Sequence, residues 1–218
     1  CLSEKNNNYL AALVATAQGY GLAFADASTG EFLATEIESL DKLSNELWRY
    51  EPVECLVAFS DEQMYDYLQD FFGGSKTALT RHADYAFRLD YAEQKVKDHF
   101  HLQSLDGLGC GEKPLVTIAA GVILDYLQLM HKSKPSNIMN LQVYSLKETM
   151  ELDYATKRNL ELLRSLHGNE KKDSLLGILD YTQTAVGSRL LKSWLEKPLL
   201  KASDIQHRLD ATEELVVQ

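Results

Sequence analysis

Three aspartates carry the most obvious chemical potential in this chain: Asp26, Asp61 and Asp90. Carboxylates gathered on one site can hold two divalent cations and direct water at a phosphodiester. Asp61 and Asp90 stand at predicted helix starts, where a short acidic side chain satisfies free backbone N–H groups. Asp26 sits beside the turn signal Ser28-Thr29-Gly30, a common place for Asp. Local roles therefore explain all three. The six histidines form no HExxH, and no CxxC accompanies them. His99 and His101 are neighbours, but nothing at ligand spacing completes a metal set. Gly107, Gly109 and Gly111 alternate as phosphate-loop glycines can. They lack the GxxxxGK[ST] pattern and follow a helix where a phosphate loop follows a strand. There is no GxSxG, and Ser188 reads as a helix-face residue. Lys157, Arg158 and Arg164 make a modest basic face interrupted by Glu151, Glu161 and Glu170. A solvated helix surface accounts for it, with phosphate contact or an interdomain ion pair as the alternative.

Composition narrows the function classes. The net charge is −10, from 22 basic and 32 acidic residues. That balance opposes autonomous, nonspecific nucleic-acid binding, which needs concentrated Lys and Arg. A local duplex-DNA contact through Arg158, Arg189 and Lys192 remains an alternative. Cys1, Cys55 and Cys110 are odd in number and unsuited to a closed disulfide framework. Cys55, inside CLVAF, reads as a small core residue. No apolar run approaches a membrane span, and no signal-like segment follows Cys1. The expectation is a cytoplasmic protein with no membrane partner. The first residue, Cys, and a last helix that has barely begun suggest an excised piece.

The elements that would position these residues fall into two halves. Tyr9–Ala17, Tyr20–Ala27 and Glu31–Ile37, separated by short turns, predict an antiparallel meander. Leu22 and Phe24 point one way, while Gly21, Ala23 and Ala25 leave a small-residue face on the other. The period then shifts. Leu40, Leu43, Leu47 and Trp48 mark a helix capped by Ser39 and ended near Pro52. Cys55–Phe59 predicts a central strand, and Glu62–Phe72 a helix stopped by Gly73-Gly74. A further strand falls at Thr77–Thr80 or Tyr85–Phe87, and Leu89–Phe100 is another helix. The order β-β-β-α-β-α-(β)-α predicts a mixed sheet with packed helices, resembling an RNase H-like fold. A metal-dependent nuclease of that fold, using Asp26, is therefore the enzyme alternative.

The glycine-containing run His101–Lys113 predicts the domain boundary and a joint between the two halves. Pro114 suits the first turn of the apolar helix Leu115–Leu129, where Ala119, Ala120 and Gly121 permit close backbone approach. Ile138–Leu146 reads as a linker or strand. A helix should start around Glu148, Thr149 and Glu151 and run through Arg164 to Gly168, presenting Leu152, Leu160, Leu163 and Leu166 on an apolar face. Leu175–Leu179 is short. Thr182 or Thr184 caps a helix carrying Leu190, Leu191, Trp194 and Leu195, and Gly187 within it implies close packing. Ser203 or Asp204 caps the last helix. Trp48 and Trp194 fall on apolar stripes, as core residues would.

These motifs resemble the bacterial MutS family of DNA mismatch-recognition ATPases, over essentially the whole chain. NNNYLAAL and GLAFADASTGEF resemble the start of its connector domain. LQSLDGLGCGEKPLVTIAAGVILDYL resembles the passage into its helical lever, or core. The strongest likeness lies in LDYATKRNLELLRSL, with Arg158 and Asn159, and in LLGILDYTQTAVGSRLLKSWLEKPL, with Gly187, Arg189 and Trp194. The resemblance implies α/β followed by all-α: an RNase H-like connector at 1–105 and the first part of the lever at 106–218. It implies a noncatalytic fragment that transmits conformational signals between DNA-binding and ATPase domains. Arg158, Asn159, Gly187, Arg189 and Trp194 would be interdomain or framework residues, with no catalytic, cofactor or metal ligand among them. The implied partners are the remaining MutS domains, a MutL-like protein through the connector and, for the full-length protein, mismatched duplex DNA. ATP and Mg are expected only of the full-length protein.

Overall fold

A computed structural model describes residues 8–131, 137–146, 150, 152–166 and 171–217. They form two compact units, one ending at Tyr144 and the other running from Ser145. The mixed sheet with flanking helices, followed by an all-α region, is the fold class the residue pattern predicts.

The first unit is built on β1 (Leu10–Thr16), β2 (Gly19–Asp26), β3 (Glu31–Ile37), β4 (Glu54–Ala58), β5 (Ala78–His82) and β6 (Gln142–Val143), ordered β5-β4-β1-β2-β3-β6. β1, β2 and β3 pair antiparallel, while β4 runs parallel to β1, β5 to β4 and β6 to β3. The ambiguous strand is thus Ala78–His82, and Asp84–Phe87 is a 3-10 turn. Helices α1 (Leu40–Tyr50) and α2 (Glu62–Phe71) begin on the predicted caps: Ser39 accepts from the Lys42 amide and Asp61 from the Met64 amide. Leu43 and Leu47 of α1 are fully buried, and Tyr50 stacks on Phe24 at 4.1 Å. Trp48 of α1 meets Phe71 of α2 at 5.1 Å between ring centres. Contrary to its reading as a core residue, Trp48 stays 39% exposed, because that contact lies at the outer margin of the layer.

The opposite face receives α3 (Leu89–Phe100) and α4 (Pro114–His131). Here the small-residue face decides the packing. A Cβ on Gly21 would lie 2.2 Å from the Leu115 carbonyl oxygen, and one on Gly121 would lie 2.5 Å from Ala92 Cβ. Only glycine lets α4 come this close to β2 on one side and α3 on the other. Val116, Ala119, Ala120, Ile123 and Leu127 then share one core with Ala12, Val14, Ala23, Ala25 and Ala34. Full burial of each larger aliphatic side chain contributes about 1.5–3 kcal/mol.

This packing corrects the boundary at residue 105. Residues 106–144 belong to the same compact unit as the sheet, and Leu105 and Cys110 are buried in its core. The glycine-containing run is therefore a turn inside the unit and cannot be the joint between two halves. Glycine content signalled irregular backbone correctly; it carried no information about which core that backbone serves.

A buried polar knot ties this layer together. Asp125 on α4 is 1% exposed and accepts from the Tyr91 hydroxyl at 2.7 Å and Lys95 Nζ at 2.9 Å. His82 Nε2 lies 3.0 Å from its other oxygen. Burial alone would raise the Asp125 carboxyl, but Lys95, Tyr91 and His82 together outweigh it and hold the group below the usual carboxylate range. A depressed carboxylate contributes stability above its unfolded value near pH ~3.9, lost as pH falls through the folded value. Asp125→Asn should destabilise the unit by about 1–3 kcal/mol at pH 7. The difference from the parent should shrink below about pH 4. Urea denaturation of both proteins at pH 7 and pH 3 reads this, and an equal difference at the two pH values would contradict it.

Candidate functional site

The second unit carries α5 (Tyr154–Asn159), α6 (Leu175–Leu179), α7 (Ala185–Glu196) and α8 (Ala202–Val217). Asp153 caps α5, accepting from the Thr156 amide at 2.6 Å. The long helix predicted here is not formed. Its expected start at Glu148, Thr149 and Glu151 and its stop at Gly168 lie outside the described residues. Within them, α5 ends at Asn159 and Glu161 takes a left-handed backbone with φ of 50°. The reason is competition from side-chain and inter-segment bonds. Glu161 Oε1 accepts from the Leu166 amide at 2.7 Å, while the Glu161 and Leu162 carbonyls accept from the Leu175 and Leu176 amides at 2.9 Å. These bonds hold the end of α5 against the start of α6.

The following turn converges on Asp180. Its carboxylate accepts from Lys171 Nζ, from Ser188 Oγ at 2.6 Å, and from the Thr182 hydroxyl and amide. Lys171, Ser188 and Thr182, in that order of strength, hold Asp180 well below the usual carboxylate range. One side chain thus joins the segment before α6, the turn after it and the first turn of α7. A Cβ on Gly177 would stand 2.0 Å from the Lys171 carbonyl oxygen, so this junction also needs a glycine. Thr184 caps α7 by accepting from the Gly187 amide at 3.0 Å. A Cβ on Gly187 would meet Thr182 Cβ and Thr184 Oγ1, both at 3.2 Å, so the close packing expected of this glycine is with its own cap.

The five residues expected as framework do not gather at one point. Arg158 and Asn159 are exposed at the end of α5. Gly187 and Arg189 lie half-buried in the first half of α7. Trp194 is 36% exposed and lies under the Arg208 guanidinium at 4.3 Å, linking α7 to α8. Its reading as a core residue is therefore corrected: a cation covers its face within this unit. The α8 cap is corrected too, since the helix starts at Ala202 and the Lys201 carbonyl accepts from the Asp204 and Ile205 amides. Asp180 and Ser188 are the residues whose role the sequence reading missed: they read as a turn residue and a helix-face residue. The spacing Asp180-x-Thr182 signals a local turn, whereas Lys171 and Ser188 are brought in only by folding.

Among the described residues the second unit buries one apolar side chain, Leu176, with Ser165, Ser174 and Ser188. Ile178, Leu190, Leu209 and Leu215 are all at least half exposed. Its helices are amphipathic, yet their apolar faces are left uncovered.

The residues considered for chemistry resolve into structural roles. Asp26 is buried and accepts from the Ser28 amide and hydroxyl and the Asn8 amide, Asp61 caps α2, and Asp90 pairs with Arg88 at the surface. Among the described residues no three His, Cys, Asp or Glu side chains are grouped to hold a metal ion, so the nuclease alternative lacks its site. His99 and His101 line an open depression of about 390 Å³ at the end of α3. His99 Nε2 is bonded to the Ile138 carbonyl at 2.7 Å, and His101, with φ of 56°, ends the helix. The glycine run does not fit a nucleotide phosphate: a Cβ on Gly111 would meet Asp106 Oδ1 at 2.2 Å, so a carboxylate fills that space. Cys55 and Cys110 are buried free thiols, pushed up to about 12 and about 11 by burial. Among the described residues no helix is long and apolar enough to cross a membrane.

Fold and site together define a two-part framework module: an α/β unit with a closed core, then a helical unit held by polar junctions. Residues 8–142 match MutS domain II and residues 155–218 match MutS domain III. The chain belongs to the MutS family. It is 40% identical over 221 residues to the DNA mismatch repair protein MutS of Symbiobacterium thermophilum, covering 99% of this chain and 25% of that one. It is 37% identical over 224 residues to that of Trichodesmium erythraeum, covering 99% and 25%. Against that of Methanococcoides burtonii it is 36% identical over 217 residues, covering 97% and 24%. The chain thus spans about a quarter of the length of these curated relatives.

The Asp180 junction can be tested directly. Asp180→Asn keeps the shape but removes the charge. Amides of residues 182–188 should exchange with solvent roughly fivefold faster, equivalent to about 1 kcal/mol. Amides of α3 and α4 should not change. Unaltered exchange at 182–188 would remove Asp180 from this role.

Proposed function

We propose that this chain is a noncatalytic connector and lever piece of a DNA mismatch-recognition ATPase. It passes conformational signals between the DNA-binding and ATPase parts of the whole protein. The observation that carries this reading is the contrast between the two units. One closes its own core. The other leaves the apolar faces of α7 and α8 open, which is the state of helices that complete their packing on further parts of a larger protein. Arg158, Asn159 and Arg189 then serve contacts within that larger framework. The first unit offers the surface for a MutL-like partner, and mismatched duplex DNA is bound by the whole protein. ATP and Mg would be held elsewhere in the full-length protein.

An autonomous duplex-binding role fits less well. The net charge is −10, and Arg189 is half-buried and already engaged within the protein. Spin labels on Glu62 of α2 and Glu213 of α8 in the full-length protein test the transmission reading. The interlabel distance distribution should shift between nucleotide-free and ATP-bound protein. Superimposable distributions would overturn the reading. Pull-down with a MutL-like partner should retain the first unit's surface within the whole chain, and its loss would remove the partner role alone.

A further inference from the structure

The first unit ends on a two-residue edge strand, β6, which pairs with β3 through Gln142 opposite Leu33 and Val143 opposite Ala34. So short a strand at a sheet edge is weakly held by its ladder alone. The next residue, Tyr144, is fastened three further times. Its amide donates to the Ala34 carbonyl at 3.0 Å, and its carbonyl accepts from Thr35 Oγ1 at 2.8 Å. Its phenol donates to Glu46 Oε2 at 2.5 Å. Glu46 is 5% exposed, and Arg49 holds its other oxygen at 2.7 Å one helical turn along α1. Arg49 is buried as well, with Nη2 lacking a hydrogen-bond partner and the guanidinium 5.5 Å from the centre of the Tyr50 ring. A buried carboxylate and guanidinium are costly to desolvate, and their mutual attraction offsets part of that cost. Burial, Tyr50 and the Glu46 charge raise the Tyr144 phenol well above its ordinary value, so the hydroxyl stays a donor.

We infer that Glu46, Arg49 and Tyr144 form a latch that locks the last residue of the first unit to its own sheet. The helix α1, the strand β3 and the exit strand are fastened at one residue, and the division between the compact units falls immediately after it. A pull on the connection is thereby delivered to the β3–α1 corner of the sheet and is not absorbed by peeling of β6. This role rests on the transmission reading above, but the latch is a property of the first unit and can be measured without nucleotide.

Amide exchange on the 218-residue chain reads it. Tyr144→Phe removes one hydroxyl and leaves the ring. The Tyr144 amide should exchange about tenfold faster, the loss of one charge-assisted hydrogen bond. The Ala23 amide in the middle of the sheet should be unchanged. Thr35→Val, which removes the bond to the Tyr144 carbonyl, should act in the same direction. In the double variant Tyr144→Phe with Glu46→Ala, which removes the acceptor itself, the phenol change should add nothing to the effect of Glu46→Ala alone. Exchange of the Tyr144 amide within about twofold of the parent in both single variants would overturn the latch. So would an equal loss of protection throughout the sheet, which would make Tyr144 a general stabiliser. If the latch behaves as expected but the interlabel distance ignores nucleotide, transmission fails and the latch stands.

Discussion

The first unit depends on the approach of α4 to the sheet. Gly21, Ala23 and Ala25 leave β2 without bulk on one face, α4 answers with Ala119 and Ala120, and Gly121 lets α4 approach α3. Backbone meets backbone at van der Waals distance, and the larger side chains Val116, Ile123 and Leu127 fill the flanks. That contact decides much else. It draws the glycine-containing turn at 107–111 into the unit, buries Leu105 and Cys110, and brings Asp125 under His82, Tyr91 and Lys95. The strand that follows α4 pairs with the edge of β3.

The second unit is organised by a different kind of force. With Leu176 alone among its described apolar residues buried, the hydrophobic effect within the unit is small. Directional bonds do the holding instead: Asp180 between Lys171, Thr182 and Ser188, the backbone bonds from 161 and 162 to 175 and 176, and the caps at Asp153, Ser174 and Thr184. Such junctions fix angles between short helices without closing a core. Helices fixed in angle and open on their apolar faces suit a framework whose neighbours complete it. The closed first unit suits a body that moves as one piece. Membership of the MutS family through domains II and III gives these two characters a common setting.

Much of this was legible in residue order. The three-strand meander, the caps Ser39 and Asp61, a cap at Thr182 or Thr184, the helices α3 and α4, and the structural reading of Asp26, Asp61 and Cys55 all rest on local chemistry, which needs only a few adjacent residues. The close approach at Gly121 was also legible, because the run Ala119-Ala120-Gly121 leaves that stretch of the helix without bulk. The framework residues were harder. Arg158, Gly187 and Trp194 stood out as members of a pattern, whereas Asp180, which makes the junction, looked like a turn residue.

What the sequence by itself determined is the identity of the elements and the family to which they belong. Propensity, capping and periodicity act over one or two helical turns, and a long run of matched positions is specific without any coordinates. Tertiary structure alone decided the ownership of the segment 106–144, the break of the helix after Asn159, the partial exposure of both tryptophans and the fastening of Tyr144. Each of these depends on partners far apart in the chain: α4 meets β2, Leu175 meets Glu161, Arg208 meets Trp194, and Tyr144 meets Glu46 across 98 positions. Long-range contacts form only where the chain folds back on itself, and no local pattern encodes which of several compatible surfaces will receive them.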